Sequence, residues 1–225
     1  MTIKAALFDL DGTLLDTLTD LAEAMNRVLQ QHGFPQHPVD AYKHFVGDGM
    51  DMLVRRVLPE SIRKGHPRDC DRVVADCLAG MKTSYHKAWD IKTRPYDGIP
   101  EMLSALSKLG LKLAIYSNKP HEFTVEMVSH YFPDLRFTHV LGARIGWDRK
   151  PSPDVPLAIS HELGISPGEW IYLGDTSMDM NAGNSAGMHT IGVLWGFRER
   201  SELEGAGAKT IISHPSEVTA LLERF

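Results

Sequence analysis

The sequence predicts an α/β protein: a doubly wound, mostly parallel sheet with an all-helical block inserted after its first strand. Three observations predict it. Short apolar runs recur through the second half of the chain, each separated from the next by a stretch of helical periodicity, the alternation that builds a parallel sheet. Residues 16–90 carry apolar residues at helical spacing and contain no strand-like run. The Pro- and Gly-punctuated segment Thr93-Arg94-Pro95-Tyr96-Asp97-Gly98-Ile99-Pro100 then reads as the return from that block to the sheet.

The first strand is the apolar run Ile3 to Phe8, broken only by Lys4, and it ends in Asp9-Leu10-Asp11-Gly12. Inside the helical block, Leu18, Leu21, Ala22, Met25, Val28 and Leu29 share one helix face and Gly33 stops it. Met52, Leu53, Arg56 and Val57 mark a second helix. Val73, Val74, Cys77, Leu78 and Met81 mark a third, running from about Asp69 to Tyr85. Beyond the linker, Pro100 to Leu109 is helical and closed by Gly110. Leu111 to Tyr116 is a strand that stops at Ser117-Asn118-Lys119-Pro120, Glu122 to Tyr131 is a helix, and Phe137 to Leu141 is a short strand. Ser152 and Pro153 suit the N-cap and first position of a helix over Asp154 to Leu163. Trp170 to Leu173 is a strand ending in Gly174-Asp175, and Thr190 to Leu194 and Thr210 to Ile212 complete the sheet.

The bulk properties exclude several function classes. A chain of 225 residues with 43% hydrophobic and 24% charged content can bury a sizeable core. A net charge of -5 argues against broad nucleic-acid binding. No stretch has the length of a membrane span and the first residues lack a signal-peptide pattern, so a cytoplasmic protein is expected. Cys70 and Cys77 on one helix stand about 10.5 Å apart in rise, too far for a disulfide. The 11 His show no zinc spacing.

The chemistry-bearing residues sit where strands end. A parallel sheet brings its carboxyl ends to one edge, where ligands bind. That edge would carry Asp9 and Asp11, Ser117 and Asn118, and Asp175 with Asp179 four residues on, while Lys150 precedes a helix. Two acids one residue apart repel unless a cation relieves them, and oxygen-only ligands select Mg²⁺. A solvated Asp-x-Asp-Gly turn would account for the first motif alone; the company of the other strand ends decides against it. If the substrate is a phosphate ester, each part has a use. A carboxylate attacks phosphorus, Mg²⁺ relieves the repulsion between anions, and Ser117, Asn118 and Lys150 bind phosphoryl oxygens. A second acid protonates the leaving alkoxide and later activates water.

Asp9-Leu10-Asp11-Gly12-Thr13-Leu14, Ser117-Asn118-Lys119, Lys150-Pro151 and Gly174-Asp175-Thr176 through Asp179 resemble, in order, the four motifs of the haloacid-dehalogenase superfamily of phosphatases. The resemblance spans the whole chain. It implies a Rossmann-like catalytic core over residues 1–15 and 91–225, with residues 16–90 as the superfamily's helical cap domain. It implies Asp9 as nucleophile, Asp11 as general acid and base, and Mg²⁺ held by Asp9, the carbonyl of Asp11, and Asp175, with Thr13 and Asp179 in support. Ser117, Asn118 and Lys150 would bind phosphate. Dehalogenase members lack the second acid, so Asp11 implies phosphate chemistry. Phe45-Val46-Gly47-x-Gly49, Pro95-Tyr96-x-Gly98 and the tract Gly192 to Arg198 are similar to phosphoglycolate phosphatases. In that group Gly47, Asp48, Gly49 and Arg55 would contribute cap specificity, although Asp48 departs from the uncharged residue expected and would repel an anionic substrate, a repulsion that Lys43, His44, Arg55 and Arg56 nearby could offset.

The expected protein is thus a monomer or small homo-oligomer that hydrolyses a small phosphorylated metabolite. Competing readings are a phosphosugar mutase or pyrophosphatase of the same superfamily, distinguished by the acceptor or substrate in turnover. A non-enzymatic phospho-acceptor receiver module would be distinguished by a long-lived phosphoenzyme.

Overall fold

The apolar run after Ile3 forms β1 (Ala5–Phe8), all four residues of which are buried. A computed structural model describes residues 2–225 of the chain. These fall into two units, the first joining residues up to Asp16 with Pro95–Phe225, the second being Thr17–Arg94.

In the first unit, β1 and the two-residue β2 (Leu15–Asp16) precede the helical unit. The two-residue β3 (Arg94–Pro95) follows it. Then come α5 (Ile99–Lys108), β4 (Lys112–Pro120), α6 (His121–Tyr131), β5 (His139–Ala143), α7 (Asp154–Leu163), β6 (Trp170–Gly174), α8 (Ser177–Ala186), β7 (His189–Val193), α9 (Arg200–Gly205), β8 (Thr210–Ile212) and α10 (Glu217–Leu222). Six strands form one sheet in the order β5-β4-β1-β6-β7-β8, with every pairing parallel. Phe8, at the end of β1, lies opposite Ile115 on one side and Leu173 on the other. The chain winds outward from β1 through β4 to β5, then crosses to the other flank for β6, β7 and β8. Winding reverses at β1, and in open sheets such a switch point is where the ligand crevice opens.

Period-two alternation assigns the strand residues to two buried faces. Ala5, Leu7, Ala114, Tyr116, Trp170 and Tyr172 pack with Val155 and Ile159 of α7 and with Ala182 and Ala186 of α8. Ala6, Phe8, Leu113, Ile115, Ile171 and Leu173 are buried on the opposite face. A sheet covered on both sides explains why its strands are continuously apolar instead of alternating with polar residues.

Several boundaries differ from expectation. β4 does not stop at Tyr116 but runs on through Ser117, Asn118 and Lys119 to Pro120, with a register shift against β5 between Tyr116 and Pro120. Polar residues that look like turn formers remain strand when the neighbouring strand can still pair. β5 begins at His139, two residues later than its apolar run. Pro153 is the residue before α7, and the Ser152 hydroxyl accepts a hydrogen bond from the Asp154 N–H at 3.2 Å. The short helices α9 and α10 were not expected; α9 buries one residue, Leu203, too few for a periodic signal.

The helical unit contains α1 (Leu18–Gln31), a 3₁₀ turn (Val39–His44), α2 (Met50–Val57), α3 (Glu60–Arg63) and α4 (Pro67–His86). α1 buries Leu18, Leu21, Ala22, Met25, Val28 and Leu29, and α4 buries Val74, Cys77, Met81 and Tyr85. A Cβ on Gly80 would come within 3.2 Å of Val28, so the missing side chain lets α4 close on α1. Asp20, buried in the first turn of α1, accepts hydrogen bonds at Oδ2 from the N–H groups of Lys92 and Thr93 and the Thr93 hydroxyl, at 2.8–2.9 Å. This ties the end of the unit back to its start. Among the described residues no helix is long and apolar enough to cross a membrane.

Candidate active site

The end of β1 is held in the ladder by the Asp9 N–H, which donates to the Leu173 carbonyl at 3.0 Å. The Asp9 carboxylate leaves the strand there, and its Oδ1 accepts from the Leu10 N–H at 2.7 Å. The chain then folds tightly: the N–H groups of Thr13, Leu14 and Leu15 all point at the Leu10 carbonyl. Gly12 makes the turn at φ +84°, and a Cβ there would fall 2.3 Å from Oδ2 of Asp175. Only glycine satisfies both the backbone angle and the close approach.

Asp175 follows β6 and is fully buried. Its Oδ1 accepts from the Thr13 hydroxyl at 3.1 Å and its Oδ2 from the Phe197 N–H at 2.8 Å. Asp179, in the first turn of α8, forms a capping box with Thr176, whose N–H and hydroxyl both donate to Oδ2. Its Oδ1 accepts from the Tyr172 hydroxyl at 3.2 Å and from Lys150 Nζ at 2.7 Å. Asp179 therefore caps a helix and belongs to the site at once.

Lys150 joins the two ends. Its ammonium lies 2.7 Å from Asp9 Oδ1 and 2.7 Å from Asp179 Oδ1, with its side chain 2% exposed. It also stands 5.4 Å from the centre of the Tyr116 ring. Asn118 fixes the segment that carries it: Asn118 Oδ1 accepts from the Lys150 N–H at 2.9 Å and Nδ2 donates to the Lys150 carbonyl at 3.3 Å. The Asn118 side-chain amide thus positions the segment that carries Lys150. Ser117 is buried beside it, and its hydroxyl accepts from the Lys119 N–H at 3.3 Å.

The electrostatics of this cluster are unbalanced. Asp9, Asp175 and Asp179 are buried, and each offers an oxygen within 4.8 Å of the others'. Three carboxylates against one Lys150 ammonium leave a formal charge of -2, which one divalent cation would cancel. Burial, opposed by Lys150 and reinforced by Asp179, pushes the Asp9 carboxyl up to about 7. Burial, then the charges of Asp179 and Asp9, raises Asp175 well above the ordinary carboxylate range. Lys150 is held above the usual lysine value: burial works against its charge, and the attraction of Asp179 and Asp9 more than offsets it. Buried carboxylates so poorly compensated by protein cations, with oxygen donors only, fit a hard divalent ion. Asp9, Asp175 and Asp179 each present an oxygen that could hold such an ion, and Asp179 also serves Lys150 and the helix cap.

Three features escaped the sequence reading. Lys119 lies buried next to Ser117 and Asn118, and its Nζ meets both oxygens of Asp11 at 3.1 and 3.2 Å. A lysine inside a strand end, where solvation is unavailable, is the signal that could have found it. Trp195 donates from Nε1 to the Thr13 carbonyl at 2.9 Å. Gly196 lets this loop press in, since a Cβ there would meet the Asp175 Cβ at 2.3 Å and the Gly12 carbonyl at 2.4 Å. The tract Gly192 to Arg198 thus braces Asp175.

The residues expected to set specificity lie in the helical unit. Gly47 and Gly49 have φ of +115° and +94°, which glycine adopts without strain. Asp48 pairs with Arg56, which also donates to the Phe45 carbonyl at 3.0 Å. Arg56, one of the nearby cations that could offset Asp48, is paired with it, and the pair clips the loop 45–49 onto α2. Arg55 forms an exposed ion pair with Asp71 at 2.9 Å.

Comparison with known proteins agrees with this geometry. A family model described as haloacid dehalogenase-like hydrolase matches residues 6–193. The phosphoglycolate phosphatase of Nitrosospira multiformis is 31% identical over 224 residues, covering 100% of this chain and 97% of that protein. The N-acetylmuramic acid 6-phosphate phosphatase of Pseudomonas aeruginosa is 29% identical, covering 100% of this chain and 96% of the relative. A crystal structure from Lactobacillus delbrueckii subsp. bulgaricus, provisionally assigned as a phosphoglycolate phosphatase, superposes with a TM-score of 0.89 at 32% identity over 99% of both chains. With acids at the ends of two neighbouring parallel strands, a buried lysine between them and a match over most of its length, the chain belongs to the haloacid dehalogenase-like hydrolase family.

Proposed function

We propose that this chain is a Mg²⁺-dependent phosphatase that hydrolyses a small phosphate monoester, 2-phosphoglycolate foremost, through an aspartyl phosphate on Asp9. The observation that carries the proposal is the buried group Asp9, Asp175 and Asp179 around one lysine, with a second carboxylate, Asp11, two residues from Asp9. In this reading residues 1–15 and 91–225 are the catalytic core and residues 16–90 a cap domain, and every group assigned to the chemistry falls in the former.

Asp9 and Asp175, with the Asp11 carbonyl, would hold the ion, which supplies positive charge that lets an anionic nucleophile approach an anionic phosphate. The Asp9 carboxylate attacks phosphorus while the bond from phosphorus to the ester oxygen breaks. The leaving alkoxide takes its proton from Asp11. In the second half-reaction Asp11, now a carboxylate, takes a proton from water as the water oxygen attacks phosphorus. Inorganic phosphate departs and Asp9 is restored. Lys150 offsets charge on the phosphoryl oxygens and Ser117 donates a hydrogen bond to them during both transfers, and Lys150 keeps Asp9 aligned. Thr13 and the Trp195–Phe197 loop hold Asp175, and Asn118 holds Lys150.

The names of the relatives support phosphoglycolate as substrate, and the equally long match to a sugar-phosphate phosphatase supports including phosphosugars in the test. The deciding experiment measures phosphate release from 2-phosphoglycolate, N-acetylmuramic acid 6-phosphate, other small esters and pyrophosphate, with Mg²⁺ and after chelation. Preferential, Mg²⁺-dependent release from 2-phosphoglycolate is the expected result. Preference for another ester would reject the substrate and keep the chemistry, and a stable phosphoenzyme without turnover would reject both.

A further inference from the structure

Among the described residues, Lys119 is the one buried cation of the strand edge with no part in the proposed chemistry. It is 5% exposed and sits on β4 immediately beyond Ser117 and Asn118. Its backbone is fixed on two sides: its N–H donates to the Ser117 hydroxyl, and its carbonyl accepts from the Thr124 hydroxyl at 3.3 Å. A Cβ on Gly142 would lie 2.7 Å from that carbonyl, so β5 packs directly against it. From this anchored backbone the ammonium reaches across to Asp11 and meets both carboxylate oxygens, at 3.1 and 3.2 Å. Asp11 itself lies on a loop and is only partly buried, its side chain 19% exposed. A carboxylate on such a loop would rotate among rotamers; one gripped at both oxygens by a cation on a rigid strand does not.

We infer that Lys119 is a positioning residue for Asp11, fixing the carboxyl on the leaving-group side, so that hydrolysis of esters with poorly departing alcohols depends on it. The inference rests on the phosphatase reading and on Asp11 as the proton donor. It assigns Lys119 no contact with the phosphoryl group, which distinguishes it from Lys150. An alkoxide cannot leave without a proton delivered in line, so misplacing the donor is costly for an alkyl ester. A nitrophenolate departs without one, so misplacement matters little for an aryl ester.

The test compares 2-phosphoglycolate with p-nitrophenyl phosphate in the full chain with Mg²⁺, for wild type, Lys119→Met, Lys119→Arg, Asp11→Asn and the Asp11→Asn/Lys119→Met double variant. Lys119→Met should lower kcat on the alkyl ester by about 100-fold with KM within about threefold, and lower kcat on the aryl ester by less than about fivefold. Lys119→Arg, which keeps a two-pronged grip, should recover most of the alkyl-ester rate. On the Asp11→Asn background, Lys119→Met should add less than about threefold, because a residue acting through Asp11 has nothing left to position. Equal losses on both esters, a loss carried by KM, or a full additional loss in the double variant would overturn the inference. Should Lys119→Met fail to fold, Lys119→Gln carries the test: an alkyl-to-aryl rate ratio unchanged from wild type overturns the inference. A wild-type chain inactive on both esters would defeat the phosphatase reading first, before any substitution is made.

Discussion

The strand-end cluster and the loop 45–49 of the helical unit both gather charged residues, and they satisfy them in opposite ways. Around Asp9 the partners come from distant parts of the sequence, are almost fully buried, and leave an excess of negative charge. In the helical unit the partners are near neighbours in sequence and balance one for one: Asp48 with Arg56, Asp40 with Lys43. Balanced pairs within reach of solvent contribute little and are replaceable. An unbalanced cluster held in place by a folded sheet is costly and persists because something else completes it. The difference separates a cluster that a bound cation would complete from ion pairs that are complete in themselves.

Substitutions can break or sharpen that contrast. The largest effect is expected from Asp9→Asn, which should reduce Mg²⁺-dependent phosphate release more than about a thousandfold. Circular dichroism should show an intact fold, since the change removes one charge from a surplus of like charges. Next, Lys150→Met should destabilise the metal-free protein by about 3–5 kcal/mol, read from urea unfolding, because it strands Asp9 and Asp179 without their cation. Mg²⁺ should reduce that deficit.

The pH dependence of the metal-free protein should carry the mark of the cluster. Asp9 binds its proton more tightly folded than unfolded, its carboxyl rising from 3.8 to about 7. Between those values the native state holds the extra proton, so this group's contribution to stability falls as pH rises through the window. Melting curves between pH 4 and pH 8, with and without Mg²⁺, check it (about one unit beyond the window on the alkaline side): stabilisation by Mg²⁺ should grow with pH. A smaller effect is expected from Trp195→Phe, which removes the hydrogen bond to the Thr13 carbonyl and should weaken Mg²⁺ binding about tenfold by calorimetry. The smallest belongs to Asp48→Asn, with stability changed by less than about 1 kcal/mol and KM for the preferred ester by less than about twofold. A large change there would mean that Asp48 meets the substrate after all.

Most of the sheet was legible because its strands are buried on both faces and so stand out as apolar runs. Asp9, Asp11, Lys150, Asp175 and Asp179 were legible because each lies at a strand end or beside a helix start, where position itself implies a task. What stayed hidden depended on partners that only the fold supplies. The grip of the Asn118 amide on the Lys150 backbone joins residues 32 apart, which no local pattern shows. Four cations near Asp48 in sequence could offset its charge, and only the fold shows Arg56 paired with it. Lys119 was passed over as part of a turn because β4 runs further than its apolar residues. Asp20, which ties the helical unit's exit to its first helix, lies 72 residues from Lys92, a separation no local pattern spans.

The sheet order has a consequence for how the molecule is made. β1 is synthesised first, yet its partners begin at Lys112 and Trp170. At ribosomal speeds the segment bearing Asp9 waits on the order of 5–20 seconds for its first neighbour, its apolar side chains unpaired. All of Thr17–Arg94 has been translated by then, and its local helical contacts favour rapid folding. Translation therefore completes the whole helical unit before the strand that leads to Asp9 can meet either of its neighbours.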